Sequence, residues 1–329
     1  MIFLDHSFET AWASNQWKKI AAQWEGDDSL TVCDSMAAAD AILVTLVDPN
    51  GQYEEIVKEL ERSKKFSGLG NRLFVFDSSD DPLGLFRGIY CSLRSYLFRS
   101  TLHRTGCYMQ SFKEFISRET DSSENRIDYL FSFQGNLTSG VRKSLFSHDF
   151  RRNDILIERT MPFWHDIGSP EFLEFKRRYA EVISRSKYVL CPRGIGTSSF
   201  RLYETMQSER VPVIISDAWV PWSNTDWRKF CLRVREKDVA DIPDICLDAE
   251  PKWKEMAAAA RKHWEDWFSH KGLARLIAVS ISEIRSQRKP LLETFGLHRP
   301  VQHALAGGRG LMVRSVSHFA KFAHRLKHP

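Results

Sequence analysis

Residues 186–217 read SKYVLCPRGIGTSSFRLYETMQSERVPVIISD, and this stretch decides the fold of the chain. The short apolar run at 188–191 predicts a strand, because a proline and two glycines that end regular structure follow it closely. The hydroxyls at 197–199 are suited to cap the start of an amphipathic helix. Val211–Ile215 predicts a second, buried strand, in which Pro212 is tolerated because it stands near the start. A strand, turn, helix and strand in this order indicate a parallel α/β sheet.

The turn and the start of the helix favour the binding of an anion. Free backbone N–H groups gather there at the positive end of a helix dipole. Arg193 and Arg201 flank the turn, and a guanidinium can bind a phosphate through two parallel hydrogen bonds. Glu204 follows Arg201 by about one helical turn, where its carboxylate can accept hydrogen bonds from two ribose hydroxyls. The loop residues of this predicted site are Gly194, Gly196, Thr197, Ser198 and Ser199.

An ordinary alternative is that Arg201 and Glu204 form a surface ion pair at helical spacing, worth only a few tenths of a kcal/mol. The order of the whole stretch favours the nucleotide site, because it closely resembles the signature segment of the exostosin family, glycosyltransferase family 47. In that family Ser-Lys-aromatic-x-Leu-Cys-Pro-Arg-Gly is followed by Gly-Thr-Ser-Ser-x-Arg-Leu-x-Glu and by a Pro-Val-Ile-x-Ser-Asp strand. The chain departs from the pattern at 208–210, Ser-Glu-Arg, where the family usually has a glycine before the strand.

The resemblance extends over roughly residues 127–270. Upstream, an aromatic run ends in Gly135 and is followed by Arg142, as the family's aromatic strand is followed by an arginine in the next helix. Downstream, the segments at 219–222 and 226–230 match the family's Pro-aromatic and Asp-Trp-x-x-Phe features. The resemblance therefore adds Gly135 and Arg142 to the predicted donor-binding site.

The resemblance implies a GT-B fold, in which two Rossmann-like domains face each other across a cleft. It also implies inverting transfer of a sugar from a nucleoside diphosphate sugar to a glycan or lipid-linked acceptor, with no cofactor beyond the sugar nucleotide. The sequence contains no Asp-x-Asp pair of the kind that holds a divalent metal in the alternative GT-A architecture. We therefore expect no metal site, and we expect Arg142, Arg193, Arg201 and the helix N-terminus to neutralise the diphosphate.

Length and composition are those of a soluble enzyme with two domains. The chain has 329 residues, more than one hydrophobic core usually supports, and contains 43% hydrophobic and 27% charged residues. No apolar run approaches the ~18 residues of a transmembrane helix, and the first residues lack the pattern of a signal peptide. The six cysteines are scattered without metal-binding spacing, which indicates free thiols in a reducing compartment. We therefore expect a cytoplasmic protein.

Alternating strands and helices divide the chain into two α/β halves and a tail. Residues 1–125 are predicted to form a Rossmann-like, acceptor-binding domain, and residues 126–290 a Rossmann-like, donor-binding domain. The polar segment 120–126 is the predicted linker, and residues 291–329 form a basic tail. The predicted strands of the first half are 2–4, 41–47 and 72–76, and its helices are 10–24 and 53–63. The predicted strands of the second half are 129–133, 154–158, 188–191 and Val211–Ile215, and its helices include 140–147, 171–185, 252–267 and 272–288.

An inverting transfer needs one general base to remove the proton of the acceptor hydroxyl. In GT-B enzymes this base usually lies on the first domain and faces the cleft. Asp5 and His6 stand at the carboxyl end of the first predicted strand and are the predicted catalytic residues, since imidazole has a suitable intrinsic pKa. Asp77 and Asp80, which follow a later strand, are alternatives, although both also fit ordinary turn chemistry.

The tail is basic. From residue 294 to the end it carries six lysines and arginines and no acidic residue. Residues 311–327 place apolar side chains near one face of a helix, which predicts peripheral contact with an anionic membrane where a lipid-linked acceptor would be found. Docking onto the first domain and an unstructured tail are the alternatives. We expect no nucleic-acid partner, because the positive charge is confined to this tail.

The sequence therefore predicts a metal-independent, inverting glycosyltransferase. The alternative from another class is a non-catalytic glycan- or nucleotide-binding protein that retains the fold, as a pseudo-enzyme or as the partner of an active transferase. The presence of Arg193, Arg201 and Glu204 together argues against it. A nucleotide-dependent oxidoreductase is a weaker hypothesis, because the chain contains no Gly-x-Gly-x-x-Gly.

Overall fold

The structure is a computed structural model that describes residues 1–8, 11–24, 30–46, 53–108, 126–160 and 169–287. The basic tail at 291–329 and nearly all of the linker at 120–126 lie outside these residues. The amphipathic helix and the membrane contact predicted for the tail therefore stay predictions.

The first half of the chain forms a five-stranded sheet of β1 (Ile2–Asp5), β2 (Ala41–Leu46), β3 (Leu73–Asp77), β4 (Gly88–Tyr90) and β5 (His103–Thr105). The strands lie in the sheet in the order in which they occur in the chain, and all pairings are parallel. β2 is buried along its whole length. This agrees with its nearly continuous apolar sequence, which is typical of a parallel sheet covered on both faces.

The second half forms another five-stranded sheet of β6 (Tyr129–Gly135), β7 (Ile155–Arg159), β8 (Ser186–Pro192), β9 (Val211–Ile215) and β10 (Leu232–Val234). The order is β10-β9-β8-β6-β7, with parallel pairing throughout. β8 therefore lies at the centre of the sheet. Because the carboxyl ends of parallel strands share one edge, the loop after β8 lies at the middle of that edge, where α/β proteins commonly bind ligands.

Helices flank both sheets, and serine side chains cap several of them. The side chains of Ser139, Ser169 and Ser199 accept hydrogen bonds from backbone N–H groups at the starts of three helices, as N-cap residues do. The helices of the described residues are α1 (Ala11–Ala22), α2 (Tyr53–Arg62), α3 (Gly140–Ser147), α4 (Pro170–Ser184), α5 (Phe200–Gln207), α6 (Ile242–Ala249), α7 (Trp253–Trp267) and α8 (His270–Ser286).

The last helix, α8, joins the two halves. The indole N–H of Trp24 donates to the carbonyl oxygen of His270 at 2.8 Å, and Arg104 of β5 forms an ion pair with Glu283 at 2.6 Å. One buried hydrophobic cluster contains side chains of the first half and of this helix, among them Trp17, Phe76, Leu273 and Ile277. α8 therefore packs on the first half, although its place in the sequence assigns it to residues 126–290.

The α/β class and the two Rossmann-like sheets predicted from the sequence are confirmed. β9 has the predicted bounds, and the other predicted strands differ from the observed ones by one or two residues at their ends. The predicted strands do not include β4, β5 or β10, because each has only three residues, and His103-Arg-Thr105 contains no apolar run. The predicted domain boundaries stay predictions.

Candidate functional site

The signature loop, residues 193–199, connects β8 to α5 at the middle of the carboxyl edge of the second sheet. Nearly all of β8 is buried, and so is every residue of α5 after Phe200. The backbone N–H of Arg193 donates to the carbonyl oxygen of Ile215 at 3.1 Å, which ties the start of the loop to β9. Buried elements therefore fix both ends of the loop.

Arg201, in the first turn of α5, lies between two aromatic rings. Its side chain is only 4% exposed, and its guanidinium carbon is 4.7 Å from the ring centre of Phe133 and 5.5 Å from that of Tyr179. Nη2 donates to the carbonyl oxygen of Gln134. Nε and Nη1 are buried and have no hydrogen-bond partner within the described residues, and we call these two groups the open donors of Arg201.

The open donors point to an anionic ligand. Buried polar groups in native structures are nearly always hydrogen-bonded, and leaving a charged group unsatisfied is costly. Anionic oxygens, such as those of a phosphate, would satisfy these groups with short, charge-assisted bonds. The ordinary alternative, a surface ion pair between Arg201 and Glu204, is wrong, since both side chains are buried.

Gly135, at the end of β6, is required by the close approach of this arginine. A Cβ at that position would lie 2.8 Å from the ring of Phe133 and 3.3 Å from Nη2 of Arg201. Any side chain would therefore displace the aromatic ring that supports the guanidinium. The predicted role of Gly135 in the site is thus steric in this structure.

Glu204 is fully buried one turn after Arg201. One of its carboxylate oxygens accepts a hydrogen bond of 2.7 Å from the hydroxyl of Tyr179. Burial raises the pKa of the Tyr179 hydroxyl well above its ordinary value, so the hydroxyl stays protonated and acts as donor. The structure therefore gives Glu204 a partner inside the protein and does not expose its carboxylate to a ribose.

Arg142, at the start of α3, fastens the signature loop. Nε donates to the carbonyl oxygen of Arg193 at 3.1 Å, Nη1 to that of Asn136 at 3.1 Å, and Nη2 to that of Pro192 at 3.3 Å. Burial, with the nearby charge of Arg201, lowers the pKa of Arg142 to about 9, which still leaves it cationic at neutral pH. Arg142 therefore holds the backbone that leads into Gly194 and adds positive charge.

Arg193 is paired with an acidic residue that the sequence analysis missed. Its Nε donates to Glu236 at 2.7 Å, and the same carboxylate oxygen accepts from the backbone N–H of Asp217 at 3.2 Å. Glu236 lies 43 residues from Arg193 in the chain, so no local pattern could reveal the pair. The phosphate contact predicted for Arg193 would require this ion pair to open.

Ser92, which follows β4, contacts the signature loop from the first half. Its hydroxyl accepts hydrogen bonds from the backbone N–H groups of Thr197 at 2.6 Å and Ser198 at 3.3 Å. The hydroxyl of Thr197 donates in turn to the carbonyl oxygen of Ser92 at 3.0 Å. The sequence predicts that these two N–H groups bind an anion. In this structure they donate to the serine instead.

Gly196 lies where the two halves come closest. A Cβ at this position would lie 2.5 Å from the carbonyl oxygen of Asp80 and closer still to the hydroxyl of Ser92. These two residues follow β3 and β4, at the carboxyl edge of the first sheet. The carboxyl edges of the two sheets therefore meet at the signature loop.

Asp5 and His6 lie at the end of β1, an edge strand. Asp5 is 3% exposed and forms an ion pair with Lys65. Burial acts to raise the pKa of Asp5, but hydrogen bonds from Lys65 and Ser7 outweigh it and hold the pKa below its ordinary value. Nδ1 of His6 is 3.0 Å from the hydroxyl of Thr45. At about 4.8 Å per strand, β1 lies on the order of 10–15 Å from β3 and β4, whose loops contact the signature loop.

The two alternative carboxylates after β3 differ in exposure. Asp77 is fully buried and accepts from the backbone N–H of Ser79 at 3.0 Å. Asp80 is exposed and accepts from the hydroxyl of Tyr108 at 3.1 Å. Of the candidates for the base, Asp80 is thus the one whose backbone adjoins the signature loop.

Neither metal clusters nor disulfides occur in the described residues. No group of three or more histidine, cysteine or acidic side chains comes together there in a way that could hold a metal ion. All six cysteines are free thiols, and only Cys33 is not buried. None of the described helices combines the length and the apolar character that crossing a bilayer requires.

Comparison with known proteins supports the resemblance seen in the sequence. Residues 102–247 match the family model of the exostosin GT47 domain, which begins at β5, upstream of the first recognised motif. Exostosin-1 homolog of Caenorhabditis elegans is 33% identical over 164 residues, which are 45% of this chain and 43% of that protein. Exostosin-1 of Drosophila melanogaster is 29% identical over 178 residues, or 49% and 23% of the two chains. The chain thus spans less than half the length of these relatives.

Among solved structures, the crystal structure of Anabaena HepE in complex with UDP and glucose has 11% sequence identity and a TM-score of 0.39. The similarity covers 85% of this chain and 98% of that one. The family match rests on the sequence, and the matched range includes the strand, loop and helix that carry Arg193, Arg201 and Glu204. Residues 102–247 are therefore similar in sequence to exostosin GT47 domains.

Proposed function

We propose that this chain is an inverting glycosyltransferase that moves a sugar from a nucleoside diphosphate sugar to a glycan or lipid-linked acceptor. The observation that carries the proposal is the pair of open donors on Arg201. A buried guanidinium with two N–H groups that lack a partner in the described residues is expensive to maintain in the free protein. The cost is explained if a phosphate group binds there during function.

The electrostatics of the site suit a diphosphate leaving group. Arg201 and Arg142 place two cations beside one aromatic ring, that of Phe133, at 4.7 Å and 5.5 Å from its centre. Arg201 lies just after the signature loop, and Arg142 donates a hydrogen bond to the backbone of that loop. Fixed positive charge in a buried site stabilises negative charge that develops as the bond to the diphosphate breaks. We propose that these groups perform this role without a divalent metal.

The proposed reaction is a single displacement. The acceptor oxygen attacks the anomeric carbon from one face while the diphosphate leaves from the other, so the configuration at that carbon is inverted. One carboxylate or imidazole on the acceptor side must take the proton of the hydroxyl. The meeting of the two sheet edges at Gly196 supports an arrangement in which one half carries the donor and the other the base.

A donor screen tests the proposal. The purified chain is mixed with UDP, GDP, ADP or CDP, and the shift in the thermal unfolding temperature identifies the nucleobase that the protein binds. The matching sugar nucleotides are then supplied with oligosaccharide or lipid-linked acceptors, and release of the nucleoside diphosphate and the configuration of the product are measured. We expect one nucleotide to stabilise the chain and its sugar conjugates to be turned over with inversion. Binding without turnover of any conjugate would instead identify a non-catalytic nucleotide-binding protein.

An arginine control makes the screen specific. Arg201→Ala removes the open donors, whereas Arg228→Ala removes an arginine whose side chain is 91% exposed and paired only with its neighbour Asp226 among the described contacts. Nucleotide binding at the proposed site should be lost in the first variant and kept in the second. If both variants bind alike, the nucleotide binds elsewhere and the site assignment is wrong.

A further inference from the structure

We infer that Tyr179 is a positioning residue for Arg201: its ring packs against the guanidinium, and its hydroxyl fixes the ring to α5 through Glu204. The inference rests on the proposed binding of a diphosphate at Arg201 and concerns how that arginine is held for it. Tyr179 lies on α4, whereas Arg201 and Glu204 lie on α5, about one helical turn apart. One side chain of α4 thus contacts both charged residues of α5.

The ring of Tyr179 is one of two aromatic rings that the guanidinium of Arg201 contacts. The guanidinium carbon lies 5.5 Å from the centre of this ring and 4.7 Å from that of Phe133, and both distances allow a cation–π attraction. Burial raises the pKa of the Tyr179 hydroxyl well above its ordinary value, and the positive charge of Arg201 acts against this rise. The two rings therefore restrict the orientation of the guanidinium and, with it, the direction of the open donors.

The side chain of Tyr179 is itself fixed at both ends. Its hydroxyl donates to Oε2 of Glu204 at 2.7 Å, a short, charge-assisted bond. Its ring, which is only 9% exposed, lies beside that of Phe175 with the centres 6.1 Å apart, and belongs to a small apolar cluster with Val189 of β8. Packing thus holds the ring against α4 and β8, while the hydrogen bond holds it against α5.

Arg201 needs this support because its own hydrogen bonds hold it weakly. Within the described residues it donates one hydrogen bond, to the carbonyl oxygen of Gln134, whereas Arg142 donates to three carbonyl oxygens. Fixing a long arginine side chain costs rotamer entropy. Rings that fix the guanidinium before the ligand arrives remove this cost from the binding step, so binding becomes stronger.

Two variants of Tyr179 separate the hydroxyl from the ring. Affinity is measured by calorimetry with whichever of UDP, GDP, ADP and CDP stabilises the wild-type chain most. Tyr179→Phe keeps the ring but breaks the bond to Glu204, so we expect affinity to fall about 5- to 30-fold, as for Glu204→Gln. Tyr179→Leu also removes the ring and should weaken binding by roughly another fivefold. Its total loss should not exceed that of Arg201→Met, through which the effect is transmitted.

Phe172→Leu is the matched control. Phe172 is another buried ring of α4, 7% exposed, and lies 4.6 Å from the ammonium group of Lys176. Phe172→Leu and Tyr179→Leu should both lower stability in denaturant unfolding, because each removes a buried ring. Affinity for the nucleotide should stay within about threefold of wild type in Phe172→Leu and fall in Tyr179→Leu alone. If both variants lose affinity alike, Tyr179 only supports the packing of α4, and the inference is wrong.

A double-mutant cycle shows whether Tyr179 acts through Arg201. Independent contributions add, whereas a residue that acts through a partner contributes little once that partner is gone. In an Arg201→Met chain, Tyr179→Leu should therefore weaken nucleotide binding by less than about a further twofold. An additive loss in that background would overturn the inference, because Tyr179 would then act on the nucleotide by another route. Glu204→Gln should likewise weaken binding less in a Tyr179→Phe chain than in the wild type.

The outcomes separate this inference from the function on which it rests. A wild-type chain that binds none of the four nucleotides would overturn the proposed function and, with it, the role of Tyr179. A wild-type chain that binds one of them, with binding weakened by Arg201→Met but not by Tyr179→Leu, would overturn only the role of Tyr179. If Tyr179→Leu does not fold, Tyr179→Phe decides, and affinity equal to that of the wild type would overturn the inference.

Discussion

The two buried arginines beside Phe133 offer a sharp test of the site, because they use their N–H groups differently. The side chains of Arg142 and Arg201 are 8% and 4% exposed and contact the same aromatic ring. Arg142 donates to three backbone carbonyls, whereas Arg201 donates to one and retains its open donors. We expect replacement of each by methionine, a long unbranched apolar residue, to separate support of the fold from ligand binding.

Arg142→Met should destabilise the free protein. The variant leaves the carbonyl oxygens of Asn136, Pro192 and Arg193 without their donor, and an unsatisfied buried acceptor costs about 1–3 kcal/mol. The variant no longer buries a cation, and this offsets part of the loss of stability. We therefore expect a net loss of about 3 kcal/mol, which corresponds to a fall in Tm of roughly 6–12 °C in a large domain.

Arg201→Met should behave in the opposite way. The variant loses the bond to the carbonyl oxygen of Gln134 and the contacts with two rings, each worth about 1 kcal/mol. It also removes the open donors, which lack a partner in the described part of the chain. Removing them stabilises the protein by a free energy similar to that loss. Stability should thus stay within about 1 kcal/mol of wild type, while nucleoside diphosphate affinity falls by ~1.5–3 kcal/mol, about 10- to 150-fold.

The assay is denaturant unfolding of the free variants combined with calorimetric titration of the nucleoside diphosphate identified in the donor screen. The opposite ranking of the two variants in stability and in affinity is the expected signature. A large loss of stability for Arg201→Met with unchanged affinity would refute the argument, because Arg201 would then be a structural residue. If the two variants lose the same stability and the same affinity, the number of N–H groups that already have partners does not distinguish the roles of Arg142 and Arg201.

Three further predictions concern the donor site and the first half. The carboxylate of Glu204 is buried beside Tyr179, so Glu204→Gln should weaken the binding of a nucleoside diphosphate and of its 2′,3′-dideoxy analogue equally, by ~1–2 kcal/mol. If Glu204 instead contacts the ribose, calorimetry should show a loss of affinity for the ribonucleotide alone. Turnover should persist in excess EDTA, and activity that returns only with added manganese or magnesium would contradict metal independence. Burial acts to raise the pKa of Asp5, but hydrogen bonds from Lys65 and Ser7 outweigh it and hold the pKa below the ordinary value of about 3.9, so ionisation stabilises the fold above that pH. Asp5→Asn should therefore lower unfolding free energy at pH 7, by a margin that shrinks as the pH falls below about 4; a constant margin would contradict this.

The local features of the fold could be predicted from the sequence. Val211–Ile215 is apolar, buried and bounded by polar residues, so its strand ends where the pattern ends. Ser199 caps α5 as expected, because N-cap chemistry involves only neighbouring residues. The stretch that resembles the exostosin signature thus folds as strand, loop, helix and strand. Both sheets follow from such local signals, except for the three-residue strands β4, β5 and β10.

The partners within the site could not be predicted, because they come from distant elements with no distinctive pattern. Tyr179 lies on α4, 25 residues from Glu204, where an aromatic residue in a helix fits an ordinary core position. Ser92 lies 105 residues from Thr197 in a segment of the first half that shows no motif. The sequence could identify which residues carry the charge, but not which of them are already satisfied by the protein.

Gly196 has a consequence for how the two halves work together. Its missing side chain lets the loop of the donor half touch the backbone of Asp80 and the hydroxyl of Ser92. The same contact therefore sets the distance between the carboxyl edges of the two sheets. Ser92 binds the N–H groups of Thr197 and Ser198 in this state, so a diphosphate that used them would have to displace its hydroxyl. We therefore expect binding of the proposed donor to be coupled to the spacing of the halves through Gly196 and Ser92, and a displacement of about 1 Å between reacting groups can cost 10²-fold in rate.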